Sequence, residues 1–385
     1  MPRLRDINRI LVIKLRHIGD VLLTVPVFRA LRENFPDARI TALVNSGTEG
    51  VIEGNPSIDE ILTFNRGIKR LPYIDRRLKE IDFLNSIRKK DFDMTVDLTG
   101  GDRASIISFI SGARYRLGWS SKKGFIGKKY LYTSTCKPQK EKHMVIQNLD
   151  IVGQLGIETR DFSIDFHIPD VDMAYAGKIL RGNDISEKRP IVHIHPTSRW
   201  LFKCWKDEYT AEIIKWLLKK KVSVVVTSSP DKKEMDKARN ILSLASSLIT
   251  HHSPRLLDLC GKTTLKQLAA VSSASTLFFG VDSAPMHIAA AVGTPVVALF
   301  GPSGPTHWGP WDNRKAKHMA RHSESIDPPS AKKGLMTSGS HTVIQRGWGC
   351  VPCGRDGCGG SKKSKCLEDI TPEEIKDVLT SRLDL

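Results

Sequence analysis

The stretch Arg9-Ile10-Leu11-Val12-Ile13-Lys14-Leu15-Arg16-His17-Ile18-Gly19-Asp20-Val21-Leu22-Leu23-Thr24-Val25-Pro26 decides the fold. Its first six residues are a short aliphatic run bounded by cations, the pattern of a buried strand, and the loop Arg16–Asp20 follows. From Val21 to Asn34 the apolar residues Leu22, Val25, Phe28, Ala30 and Leu31 fit one helical face, and Pro36-Asp37 ends the run. Ile40 to Val44 reads as the next strand, and Met94 to Leu98 as a further one. Strand, helix, strand in that order is the building block of a parallel sheet.

The same grammar restarts after Pro190. Ile191 to Ile194 is a strand, His195 to Trp205 a loop, Tyr209 to Lys221 a helix, and Val222 to Thr227 a continuous apolar strand of the kind covered on both faces. Thr276 to Phe279, a loop at Gly280–Ser283, a helix from about Pro285 to Val292 and a strand at Pro295–Phe300 repeat it. Two successive α/β units predict two facing Rossmann-like domains with an interdomain cleft, against the alternative of one large sheet. We expect an N-terminal acceptor-binding domain over 1–175 and a C-terminal nucleotide-sugar domain over 176–371 with a Cys-rich segment 350–366. A terminal helix within 372–385 is expected to pack back on the first domain. Residues 66–90 read as a charged helix, 115–142 as basic loop, and 312–345 as a mobile insertion. Neither G-x-G-x-x-G after the first strand nor a P-loop motif occurs, which argues against a dinucleotide dehydrogenase and a P-loop ATPase.

Composition sets the outer bounds. The chain has 385 residues, 40% hydrophobic and 26% charged, an ordinary globular balance and more than one core usually organises. No run of 18 apolar residues occurs, and the apolar run Ile10–Ile13 is too short for a signal segment, so a cytoplasmic protein is expected. The net charge of +17 suits a polyanionic partner: nucleic acid, an anionic membrane or a phosphorylated substrate. With the basic residues read as spread out and no nucleic-acid motif, nucleic acid is the weakest of the three.

Loops at the carboxyl ends of parallel strands are where such sheets bind ligands. Asp20 sits in the first of them. It is either a helix cap or a general base that takes a proton from an attacking hydroxyl. Lys14 and Arg16 beside it could bind acceptor phosphates, or be solvated loop charge. His195-Pro196-Thr197-Ser198-Arg199 with Lys203 offers hydroxyls and a point charge to a diphosphate. Gly280-Val281-Asp282-Ser283-Ala284-Pro285-Met286-His287 opens a helix of small residues whose N-terminus can hold an anion. Asp282 would bond sugar hydroxyls or merely cap that helix, and His287 is a ligand or an ordinary structural histidine.

Two of these phrases carry a resemblance. Ile13–Pro26 resembles the N-terminal signature of the lipopolysaccharide heptosyltransferases, glycosyltransferase family nine, and Phe279–Pro302 is similar to the donor-site signature of the same family, with the heptosyltransferase III type as the subgroup most alike. The resemblance implies a GT-B fold, ADP-heptose as donor, a lipopolysaccharide inner-core acceptor, and inversion at the anomeric carbon with no metal required. By it Asp20 matches the catalytic base. Thr197, Ser198, Lys203, Asp282, Ser283, Ala284, Met286 and His287 match donor-binding positions, although Lys203 stands one residue further from Arg199 than in the pattern, and Ala284-Pro285 replaces the pair usual in relatives. Lys14 and Arg16 fall to the acceptor. The basic balance suits an acceptor carrying carboxylates and phosphates at an anionic inner-membrane surface, where the enzyme would sit peripherally. The rival functions are a GT-B transferase with another nucleotide-sugar donor and a non-catalytic binding protein of the same fold. The sequence leaves the acceptor hydroxyl, the linkage and the oligomeric state open.

Seven cysteines are present. Cys136, Cys204 and Cys260 read as packing residues. Cys350, Cys353, Cys358 and Cys366 lie among glycines and could hold a structural zinc; reduced thiols in a tight loop, or disulfides, are the other readings.

Overall fold

A computed structural model describes residues 4, 6–120, 124–139, 141–185, 189–246, 255–317 and 334–385. Its contacts divide the chain between His167 and Ile168, ahead of the 175/176 boundary expected, with Lys317 assigned to the first unit.

The first unit has strands β1 (Arg9–Lys14), β2 (Arg39–Asn45), β3 (Glu60–Phe64), β4 (Met94–Asp97), β5 (Tyr115–Trp119) and β6 (Ser134–Cys136). They form one parallel sheet in the order β3-β2-β1-β4-β5-β6. Its helices are α1 (Ile18–Leu22), α2 (Val25–Asn34), α3 (Tyr73–Arg88), α4 (Asp102–Ile110) and α5 (Met144–Gly153). The single helix expected over Val21–Asn34 is two. Pro26 has no N–H to give the preceding turn, so it sits in the first turn of α2, and the Thr24 hydroxyl turns back on the Val21 carbonyl at 2.6 Å. Within 115–142, expected to be loop, β5 and β6 occur; both are short and carry side chains that periodicity does not flag.

The second unit has strands β7 (Ile191–His195), β8 (Ser223–Val226), β9 (Leu256–Asp258), β10 (Leu277–Val281), β11 (Val296–Leu299), β12 (Leu335–Ser338) and β13 (His341–Ile344). The sheet order is β12-β13-β11-β10-β7-β8-β9, parallel except for the β12–β13 hairpin. Its helices are α6 (Asp170–Arg181), α7 (Asp207–Lys219), α8 (Lys232–Ser246), α9 (Leu265–Ser273), α10 (Ala284–Ala291), the short α11 (Pro305–Trp308), α12 (Asn313–Ala316) and α13 (Lys365–Glu368), and α14 (Pro372–Leu383). At Gly280 β10 comes so close to β7 that an added Cβ would lie 2.7 Å from the His195 carbonyl oxygen. The part of 312–345 expected to be mobile that is described contains α12 and the β12–β13 hairpin, and β13 adds a parallel strand beside β11. Residues 318–333 of that stretch lie outside the described residues. Ile375, Leu379 and Leu383 of α14 are buried in the second unit's core with α7, and Trp205 donates its indole N–H to the Ile370 carbonyl at 3.0 Å just before it. The helix therefore belongs to the second unit.

Candidate active site

In the first unit the loop after β1 is anchored by its neighbours. Thr99, two residues beyond β4, accepts from the Leu15 amide at 2.8 Å, its carbonyl takes the Arg16 guanidinium at 3.1 Å, and Asn45 at the end of β2 donates to the Arg16 carbonyl at 2.9 Å. Asp20 therefore stands on a fixed loop. It is the third residue of α1, so it is not the N-cap, which is His17; it accepts from the His17 amide at 3.4 Å as the return half of a capping box. Its carboxylate is only half-buried, which leaves an oxygen for chemistry.

Lys14 is neither solvated loop charge nor a surface phosphate ligand. It is buried, with its ammonium on the Leu98 carbonyl at 2.8 Å, and burial lowers its pKa against the pull of Asp20. Arg16 is exposed and keeps donors for an anion. The sequence reading passed over Asp97, which holds the neighbouring loop. Its carboxylate is fully buried, accepts from the amides of Thr99 and Gly100, and takes the Tyr132 hydroxyl at 2.5 Å; burial pushes its pKa up. The only signal for it was its place at the end of a predicted strand.

In the second unit Lys203 and Asp282, 79 residues apart in sequence, meet at 2.6 Å. That contact joins the loop after β7 to the loop after β10. Asp282 is buried and spends its carboxylate on Lys203, so it is not simply a helix cap. Ser283 occupies the N-cap position of α10 without capping it, and its buried hydroxyl oxygen has no protein partner among the described residues. A spare hydroxyl, a cation and a helix N-terminus thus lie along two adjoining loops, a set that suits an anionic ligand. Ala284 opens α10. Met286 is fully buried in the cluster of Phe278 and Phe300, so its side chain packs the core and does not reach a donor, and His287 is buried in the first turn.

Thr197 and Ser198 are buried as well, and Thr197 is the end of a polar chain that the sequence reading did not assemble. The Ser272 hydroxyl is 2.9 Å from Nδ1 of His193, whose Nε2 is 2.7 Å from the Thr227 hydroxyl. Thr227 is 2.8 Å from Nδ1 of His195, and Nε2 of His195 is 3.4 Å from the Thr197 hydroxyl, which donates to Glu234 at 2.8 Å. One proton order satisfies every member: Ser272 donates to His193, His193 to Thr227, Thr227 to His195, His195 to Thr197, and Thr197 to the carboxylate. It requires both histidines neutral, and burial lowers each to a pKa of about 3. Burial also raises Glu234. Glu234 follows the loop after β8, so the strand-end rule applied to the other loops would have found it.

Cys350, Cys353 and Cys358 are exposed and Cys366 is buried, all as free thiols. Among the described residues no three His, Cys, Asp or Glu side chains are placed to hold a metal ion.

Residues 81–333 match the family model of glycosyltransferase family 9 (heptosyltransferase). Lipopolysaccharide heptosyltransferase 3 of Escherichia coli strain K12 is 31% identical over 304 residues, covering 77% of this chain and 83% of its own. The fold is shared with a family 9 glycosyl transferase from Veillonella parvula, with a TM-score of 0.73, 19% identity and coverage of 98% and 97% of the two chains. It is shared too with the E. coli ADP-heptose lps heptosyltransferase II, with a TM-score of 0.72, 21% identity and coverage of 97% and 98%. The fold class is thus the GT-B class expected from the sequence. The chain belongs to glycosyltransferase family 9, the heptosyltransferases, and is a glycosyltransferase.

Proposed function

We propose that this enzyme transfers heptose from ADP-L-glycero-D-manno-heptose to the inner core of lipopolysaccharide, inverting the anomeric centre. The observation that carries the reading is the Lys203–Asp282 pair at 2.6 Å beside the uncommitted Ser283 hydroxyl at the start of α10. A nucleotide diphosphate offers Lys203 a second anion, and the heptose hydroxyls offer Asp282 the donors it would lose. The relatives support the donor and acceptor, since one carries ADP-heptose and another lipopolysaccharide in its name.

In this reaction Asp20 takes the proton of the acceptor hydroxyl as its oxygen bonds to the anomeric carbon. The bond from that carbon to the β-phosphate oxygen breaks, and its electron pair leaves on ADP. Lys203, the N-terminus of α10 and the Ser283 hydroxyl meet that charge, so no divalent ion is needed. Thr197 and Glu234, held by the histidine chain, bind the nucleotide side, while Arg16 takes an acceptor phosphate and Lys14 braces its loop from below. The lipid-linked acceptor puts the enzyme peripherally at the cytoplasmic face of the inner membrane.

The test is incubation with ADP-heptose and a heptose-deficient core acceptor, read by product mass. A gain of one heptose is expected, insensitive to chelator. Absence of the gain on every truncated core, or thermal stabilisation by UDP and none by ADP, overturns the reading.

A further inference from the structure

The first unit carries an apolar surface that its core does not use. Phe83, Leu84 and Ile87 of α3 pack inward, but Tyr73, Ile74, Leu78 and Ile81 follow helical spacing along another face and are exposed by half or more. The helix α4, which packs beside α3, exposes Phe109, and the segment that contacts α4 at 128–131 exposes Tyr130, with Ile126 fully exposed just before it. Nine of the fourteen large hydrophobics exposed among the described residues lie between Tyr73 and Tyr130. No helix of the described residues is long and apolar enough to cross a membrane, so these side chains do not belong to a span.

The charge falls in the same place. Residues 66–90 hold nine Lys and Arg against three Asp and Glu, and residues 114–142 hold nine against one, so these two stretches carry most of the chain's net +17. The basic residues are therefore concentrated, where the sequence reading took them as spread out. Several cations lie over the exposed rings themselves: Arg77 over Tyr73 at 5.2 Å, Arg116 over Phe109 at 5.6 Å and Lys129 over Tyr130 at 4.9 Å.

We propose that the surface of α3, α4 and residues 125–130 docks on an anionic lipid bilayer, its aliphatic and aromatic side chains entering the headgroup boundary while the surrounding Arg and Lys neutralise lipid phosphates. Cations and rings alone would also suit nucleic acid, but a phosphate backbone gains nothing from Ile74, Leu78, Ile81 and Ile126, whereas lipid chains do. A second copy of the chain is disfavoured because it would bring two strongly positive faces together. The proposal deepens the lipid-linked acceptor reading, on which it rests for its purpose, by naming the surface and its partner.

The experiment is flotation of the full-length protein with vesicles of phosphatidylethanolamine and phosphatidylglycerol, beside neutral phosphatidylcholine vesicles. The protein is expected to float with the anionic vesicles only, and the pair Leu78→Asp and Ile126→Asp together to cut the bound fraction by about tenfold or more. Transfer to a water-soluble core oligosaccharide should be unchanged in that variant. Unchanged flotation of the variant, equal binding to neutral vesicles, or displacement from anionic vesicles by duplex DNA at equal phosphate would overturn the proposal. Ile126→Trp supplies a measurement that does not depend on a charge being tolerated: its fluorescence should be quenched by lipids brominated near the headgroup, and absence of quenching refutes docking at this face. Loss of transfer by the unaltered protein to every acceptor, with flotation intact, would sink the transferase reading and leave the docking surface standing.

Discussion

As the third residue of α1, Asp20 accepts from the His17 amide, so alanine there would remove that hydrogen bond together with the proposed base. Loss of one such hydrogen bond costs about 1 kcal/mol, while the side-chain oxygen of asparagine still accepts it. Asp20→Asn should therefore keep the melting temperature and ADP binding while transfer falls by about 100-fold or more, the scale of general base catalysis; transfer near the unaltered rate would remove Asp20 from the chemistry. Lys203→Met should raise KM for the donor about tenfold or more, as expected for a lost charge-assisted contact to a phosphate, and donor saturation kinetics read it. A second consequence follows from His193 and His195. Each has a folded pKa of about 3 against 6.5 when unfolded. Above 6.5 neither state is protonated and their stability is fully present. As pH falls from 6.5 toward 3 the unfolded chain takes up protons that the folded chain refuses, so stability declines by up to about 1.4 kcal/mol per pH unit for each histidine. Buried carboxyls with raised pKa, Glu234 and Asp97, act in the opposite sense. Thermal melts at pH 7.5, 6 and 5 should show the decline, and replacing His193 and His195 with asparagine should flatten it. At this scale the sequence marked residues by loop position and chemistry, which singled out Asp20, Thr197, Lys203 and Asp282 as candidates. It could not reach the pairing of Lys203 with Asp282 or the chain from Ser272 to Glu234, because those contacts join strands distant in sequence.

Elements were legible where the pattern was long and one-sided. β1, β2, β7 and β10 are buried runs read directly, whereas β6 is three residues long and β13 lies in a stretch whose lysines and prolines hid it. The break between α1 and α2 was written in Pro26 but overridden by the apolar spacing around it. The sequence marked α14 but not the ion pairs that support its docking. Arg346 donates to both Glu374 carboxylate oxygens at 2.6 and 2.7 Å and also bonds to Asp369, and it holds the Glu374 pKa down to about 2. Glu374 is partly exposed, so solvent screening discounts the pair, and Arg346→Ala should cost about 1 kcal/mol of stability. Hydrogen exchange should show the loss as faster opening of α14 while β1–β4 keep their protection; uniform destabilisation of both units would contradict the assignment of this helix to the second.

At the scale of the molecule, two repeats of one strand–helix grammar announced two Rossmann-like units, but the sheet orders depend on which strands pair, and no periodicity carries that. Each unit encloses its own core, one around Leu11, Leu43 and Ile107, the other around Val192, Val224 and Leu277, so each can resist opening on its own. All the residues assigned to the donor lie in the second unit. A ligand stabilises the states that bind it, by about 2.7 kcal/mol at a hundred times its Kd. Saturating ADP should therefore slow amide exchange in the second unit, most at the ends of β7 and β10 and through the first turns of α8 and α10, where Thr197, Asp282, Glu234 and Ser283 sit. Exchange in α3 and β3 should stay as it was. Anionic vesicles should give the complementary map, protecting α3 and α4 and leaving β7 and β10 untouched, since the proposed lipid surface and the proposed donor residues belong to different units. Protection of α3 by ADP, or of β10 by vesicles, would mean that the two ligands share a site and that the division of labour argued from these residues is wrong.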